Sequence, residues 1–298
     1  MSADLALAAR EVPTRAHRHR WWKEASIVIV FYTVYSMVRN QFGSQRLAAE
    51  GVPEAAFNNA MRVIRWERAL GLYHEETLQD WFLQSPIWMI RFWNGFYGTA
   101  HFVVTITVFI ILYKKRPDVF ALWRNTLALM TALALVGFSF FPLMPPRLLD
   151  EACPPEGYGG ACIATSMRGS DFDEEIQVFG FVDTLAERGG LWSFDSGGMA
   201  SISNQYAAMP SLHIGWATWC AFAMWPLLRR RWARRAMLAY PLATLWCIVV
   251  TANHFWLDGV GGQAVFGLGF LGGWGLHELN QRRLDRRHGR QLVADPAS

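Results

Sequence analysis

Charged residues are scarce in this sequence. Asp, Glu, Lys and Arg make up only 17% of its 298 residues, where a soluble domain carries about 25%. The scarcity is concentrated: 92–113, 125–146, 196–228, 236–257 and 259–277 contain none of the four. Gaps of that length argue against a soluble globule. No removable leader is expected either, because the first 23 residues are basic and polar and no small-residue cleavage site follows the first apolar segment. That segment reads as a retained anchor. Histidine clusters of the HxxHH type are absent, which argues against a membrane di-iron enzyme. The net charge of +4 falls beside the apolar stretches, so no nucleic acid is needed to explain it.

Apolar and aromatic residues are abundant: 52% of the chain is hydrophobic, with 15 Trp and 20 Phe. About 20 apolar residues cross a hydrocarbon layer as a helix. The charge-free stretches predict spans at 92–113, 124–143, 210–228, 236–253 and 257–277. A shorter apolar run predicts one more at 24–40, with Lys23 and Arg39 able to snorkel at its ends. The expected fold is all-α: a polytopic membrane protein with a six-transmembrane-helix bundle, outward-facing loops and interfacial helices. Residues 1–23 form a basic tail, 24–277 the membrane domain, and 278–298 a second basic tail. Segments 1–23, 114–124, 229–235 and 282–290 hold 19 of the 28 Lys and Arg residues. With six spans they fall on one side, which the positive-inside rule makes cytoplasmic. Both termini are then inside, in a cell membrane, and segments 41–91 and 144–209 face out.

In the first outer segment, Val63, Ile64, Trp66 and Leu70 recur with arginines at helical spacing, and Trp81 and Phe82 follow. These stretches suit either a membrane surface or a cap on the bundle. The second outer segment holds Cys153 and Cys162, nine residues apart and candidates for a disulfide in an oxidising compartment. Between 150 and 195 it carries ten acids against Arg168 and Arg188, read as a solvated loop or a selector of a polyol or cationic headgroup. Cys220 and Cys247 fall inside spans as small core residues. Seven glycines between 261 and 275 signal close helix approach in lipid.

Topology then brings polar residues together. The span starting near Pro210, placed in its first turn, descends from the outer side, and the next climbs back to 251-TANHFWLDG-259. His213 and His254 thus reach the outer boundary at similar depth. His254 and Asp258 are spaced i, i+4, within reach on one helix face. The carboxylate can fix the ring tautomer and leave the other nitrogen as nucleophile or base. Arg147, at the outer end of the third span, offers a rigid cation suited to phosphate. Asn94, Tyr97 and His101 follow i, i+3, i+7 and share a face of the second span. Each has a plainer reading: an interfacial anchor for Arg147, an interhelical bond for His101, a structural pair for His254 and Asp258.

The motifs 210-PSLH-213 and 254-HFWLD-258 resemble the P-S-x-H and H-x3-D signatures of the type 2 phosphatidic acid phosphatase superfamily. With 145-PPR-147, 207-AAMPSLH-213, 251-TANHFWLD-258 and N-x2-Y-x3-H at Asn94, Tyr97 and His101, the sequence is more closely similar to the bacterial branch related to inositol phosphorylceramide synthase. The resemblance runs from about residue 60 to 277. It implies a six-helix membrane core and a metal-free phosphohistidine mechanism with no cofactor. His254 is then the nucleophile, Asp258 its orienter and His213 the acid. Ser211, Arg147 and backbone N–H groups hold the phosphoryl oxygens, with Asn94, Tyr97, His101 and Asn253 as further binding candidates. Two departures stand out. The K-x6-R-P opening is reduced to P-P-R, and the arginine six residues before the nucleophile is Ile248 here. Arg91 and Arg168 are candidates to replace that cation.

The expected partners are the lipid bilayer, a phospholipid or lipid-phosphate substrate, and an alcohol acceptor such as inositol. Hydrolysis and transfer share the first half-reaction, so both stay open. Two alternatives compete: a redox or transport protein that ligates haem or metal through His101, His213, His254 and His277, and a catalytically silent relative.

Overall fold

The computed structural model describes residues 54–149, 179–189 and 206–294, with scattered positions between 22 and 37. Most of the expected first span, the Cys153 and Cys162 pair, and Arg168 lie outside the described residues. The described chain forms helices α1 (Glu54–Ala69), α2 (Glu75–Leu83), α3 (Ile87–Lys115), α4 (Pro117–Phe140), α5 (Thr184–Glu187), α6 (Leu212–Met224), α7 (Arg231–Val250) and α8 (Trp256–Ala294). Among the described residues no strand forms, and the one isolated bridge joins Leu143 to Ala207.

Three of these helices, α3, α4 and α7, are long and apolar enough to cross a membrane. Their outward residues are apolar as well: Phe92, Val103, Ile106, Val136 and Leu242 are all exposed. Such a belt would be an aggregation surface in water, and in lipid it is the solvated face. This is a membrane protein.

Helix α6 lies at the centre. It is apolar all round, with Ile214, Ala217, Trp219, Cys220, Ala221 and Ala223 buried, as expected of a helix surrounded by others. It packs on α3, α4, α7 and α8. The α6 helix is shorter than the expected 210–228, because Pro226 turns the chain into a 3-10 turn at Trp225–Leu227. Pro210 lies before the helix rather than in its first turn, since Ser211 is the N-cap.

Helices α4 and α8 form the most extensive pair, and glycine makes it possible. A Cβ at Gly269 would sit 2.7 Å from Met130 Cβ, and one at Gly273 2.5 Å from Thr126 Oγ1. At Gly262 it would fall 2.4 Å from the Ser211 carbonyl oxygen. The glycines of α8 therefore set its distance from α4 and from the start of α6. Beyond residue 277 the expected basic tail instead continues α8 to Ala294. The charged run 278–290 ends the apolar window but contains no proline to end the helix.

Helix α1 caps the bundle at the end where α6 begins. Ala56, Ala60, Val63 and Ile64 join Leu143, Met144, Phe181, Tyr206, Ala252 and Phe255 in one buried cluster. Trp66 and Leu70 face outward, as does Trp81 of α2, while Phe82 is buried.

Candidate active site

The turn between α7 and α8 builds the centre of the site. Helix α7 closes with paired backbone bonds, Asn253 N–H to the Ile248 carbonyl (2.9 Å) and Ala252 N–H to the Val249 carbonyl (2.9 Å). This is the Schellman pattern, which needs a left-handed residue after the C-cap, most often glycine. Here the residue is Ala252, at φ 53°. Its methyl is buried in the cluster beneath α1, which compensates for a conformation alanine disfavours by roughly 1–2 kcal/mol. The reversal delivers His254 just before α8, not on it. The i, i+4 proximity of His254 and Asp258 therefore arises from a helix start rather than a shared helix face.

His254 Nδ1 lies 3.1 Å from Asp258 Oδ2, and the same oxygen accepts the Phe255 amide at 3.0 Å. Asp258 is the third residue of α8 and reaches back to the N-cap amide, one half of a capping box. Both side chains are buried. With Nδ1 donating to the carboxylate, Nε2 keeps its lone pair, and it faces Ser211 Oγ at 3.5 Å. Ser211 is the N-cap of α6, yet its hydroxyl makes no capping bond. Its backbone is fixed instead, because its amide donates to the Asp258 carbonyl at 2.9 Å. The hydroxyl and the first N–H groups of α6 thus line one edge of the site, an arrangement suited to an anion.

His213 stands one helical step further. Its ring centroid is 5.5 Å from that of His254. Tyr97 stacks on its other side at 4.5 Å, and His101 meets it edge-on at 4.3 Å. His101 Nδ1 is 3.0 Å from the Tyr97 carbonyl oxygen. His213 Nε2 is buried and finds no hydrogen-bond partner among the described residues. A narrow crevice beside it is lined by Phe96, Tyr240, Thr244 and Ile248.

Arg147 lies in a 3-10 turn at Pro146–Leu149, and its amide donates to the Ala252 carbonyl at 2.8 Å. Its guanidinium is buried and paired with Asp183. Asp183 caps α5, accepting from the amides of Leu185 and Ala186. The sequence offers Asp183 only as one of ten acids in a solvated loop; the fold buries it to 1% exposure. Sequence reasoning missed this residue, and its one local signal is the N-cap position before 184-TLAE-187.

Asn94 and Asn253 turn their amides to the backbone. Asn94 Nδ2 donates to the carbonyls of Thr184 and Gly189, both at 2.8 Å, and its oxygen accepts the Thr184 hydroxyl. It thereby fastens α5, and with it Asp183, to α3. Asn253 Nδ2 donates to Thr251 within the turn. Ile248 is buried in apolar surroundings. Arg91, a candidate to replace the cation missing there, is exposed and donates to the Arg188 carbonyl. Among the described residues Arg147 is the one buried arginine. His277 is separated from the other histidines: it lies 21 residues into α8, about 30 Å along the axis, so the four histidines do not form one ligand set.

The fold therefore joins a histidine held by a carboxylate, a second histidine, a hydroxyl at a helix N-terminus and a buried cation. No solved structure matches the chain. Over 172 residues, 57% of this chain and 36% of the other, it is 25% identical to the inositol phosphorylceramide synthase catalytic subunit aur1 of Schizosaccharomyces pombe. The chain thus aligns with little more than a third of that protein. The profile described as the PAP2 superfamily matches residues 61–272, a range that contains every residue of the site, and the chain belongs to that superfamily.

Proposed function

We propose that this protein is a lipid phosphatase or phosphotransferase working through a phosphohistidine intermediate. The observation that carries the reading is the placement of His254, with Nδ1 on Asp258 and Nε2 facing the Ser211 hydroxyl. In the first step Nε2 attacks phosphorus, the bond to the leaving oxygen breaks, and His213 donates a proton to that oxygen. In the second step water or an alcohol attacks the phosphohistidine, His213 takes the incoming proton, and the P–N bond breaks. Arg147, the Ser211 hydroxyl and the N–H groups of α6 hold the phosphoryl oxygens, and Tyr97 and His101 hold the His213 ring. Positioned donors and cations of this kind stabilise the charge of phosphoryl transfer, and a general acid adds about 10²–10⁴-fold.

The substrate is a phospholipid or lipid phosphate drawn from the bilayer. The similarity to an inositol phosphorylceramide synthase subunit supports an alcohol acceptor such as inositol. The charge pattern supports six spans with the site facing out of a cell membrane and both termini inside. The test uses purified protein with phosphatidic acid and a panel of labelled phospholipids, with and without inositol. We expect vanadate-sensitive phosphate release or headgroup exchange, lost in His254→Ala with helicity unchanged. Full activity in that variant would overturn the mechanism.

A further inference from the structure

Two acidic side chains outside the site are fully buried: Glu67 near the end of α1 and Glu75 at the start of α2. Both reach the start of α8. Glu67 Oε1 accepts the Leu257 amide at 2.8 Å, and Glu75 Oε1 accepts the Trp256 amide at 3.2 Å. Glu75 Oε2 accepts the His74 amide at 3.0 Å. The first amides of a helix have no partner within it and are usually met by an N-cap side chain. Here the N-cap is Phe255, which can offer nothing. Asp258 supplies the inner half of a capping box, and the two glutamates, from distant parts of the sequence, supply the outer half.

The glutamates also meet each other. Burial and the hydrogen bond to Glu75 push the Glu67 carboxyl up to about 10. The charged groups facing it are Glu75 and Asp258, both acidic, with His254 behind Asp258. Arg68 is turned away over the Tyr73 ring, and no lysine or arginine hydrogen-bonds either carboxyl among the described residues. Glu67 Oε2 is buried and has no hydrogen-bond partner among the described residues, so an ionised carboxyl there would go uncompensated. Two buried carboxyls side by side cannot both ionise at low cost, and Glu67 is the one pushed towards its protonated form.

We propose that Glu67 and Glu75 together cap α8 from outside, with Glu67 carrying a proton, and so position Asp258, and through it His254. These are positioning residues, two links from the reacting atoms. The inference rests on His254 and Asp258 acting as proposed above. The pair's proton is a structural component: without it two like charges face each other and the first turn of α8 is pushed from its place.

The test compares Glu67→Gln and Glu67→Ala with the intact protein and with His254→Ala. Glutamine at position 67 still accepts from Leu257 and donates to Glu75, as the protonated acid does. Glu67→Gln is expected to keep at least about half of kcat at neutral pH, while Glu67→Ala loses about tenfold to hundredfold, in kcat rather than KM. The second readout needs no activity. Between pH 6 and 10 the thermal midpoint in detergent should fall with rising pH in the intact protein and equally in His254→Ala, and stay flat in Glu67→Gln. Glu67→Gln as damaging as Glu67→Ala, or a midpoint that falls as steeply in Glu67→Gln as in the intact protein, overturns the proposal. If Glu67→Ala does not fold, the Glu67→Gln slope decides alone. Activity surviving in His254→Ala would remove the nucleophile assignment while leaving the midpoint slopes to judge the pair.

Discussion

Replacing Asp183 gives the sharpest test of how the buried Arg147 guanidinium is held. The pair of Arg147 and Asp183 is buried on both sides, at 6% and 1% side-chain exposure. Removing one partner of a buried pair costs about 3–5 kcal/mol, because the other buried charge loses that compensation. Asp183 also accepts from two amides as the cap of α5, a role lost in alanine at about 1 kcal/mol. Asp183→Ala should therefore destabilise the protein by about 4–6 kcal/mol, and Asp183→Asn, which keeps a capping oxygen, by about 1 kcal/mol less. Arg147→Met combined with Asp183→Leu removes both charges, and such replacements are often neutral in stability. The double variant should recover most of the stability lost in Asp183→Ala yet remain inactive, since the cation is gone. Thermal and denaturant unfolding in detergent, paired with phosphate release from a lipid phosphate, separate the two effects. If Asp183→Ala unfolds within about 1 kcal/mol of the intact protein, or the double variant is no more stable than the single one, the pair does not hold Arg147 as described.

Other perturbations follow from the geometry. Ser211→Ala should leave unfolding nearly unchanged, because the hydroxyl makes no capping bond, while kcat/KM falls by about 10²-fold if that hydroxyl meets the transferring phosphoryl group; a matched loss of stability would contradict this. Gly269→Ala should cost about 1–3 kcal/mol by forcing α8 off Met130, whereas Gly267→Ala, with nothing within 4 Å, should be tolerated, both read by thermal unfolding. The Glu67 carboxyl is raised in the folded state from 4.5 to about 10, so above pH 4.5 the unfolded chain binds fewer protons. The stability contributed by that proton is full below pH 4.5 and is lost as pH rises through about 10. A pH series of denaturant unfolding checks the sign, and a stability that climbs across this window would refute it.

The sequence carries the apolar helices and the histidines and arginine of the candidate site for the same reason: both are outliers against their surroundings. Long charge-free stretches can only be buried or in lipid, and a histidine or arginine at the edge of one is conspicuous. Helix ends were harder to read. Arg91 lies inside the start of α3 because an exposed arginine does not stop a helix, and the basic run after 277 does not stop α8. The supporting acids were unreadable. Glu67, Glu75 and Asp183 are three acids among 24 acidic residues, and only tertiary contacts bury them. Asn94 shows the reverse: its helical register with Tyr97 and His101 is plain in the sequence, but whether its amide meets a ligand or a backbone carbonyl depends on α5, which packs from about 90 residues away.

The hydrogen bond from the Arg147 amide to the Ala252 carbonyl has a consequence for anyone who would re-engineer this protein. Ala252 is two residues from His254, so the buried Arg147 and the His254 ring hang from one peptide hook. Their separation is not a free parameter that loop swaps can tune. A graft of 145–147 into a related scaffold would need 251–254 with it.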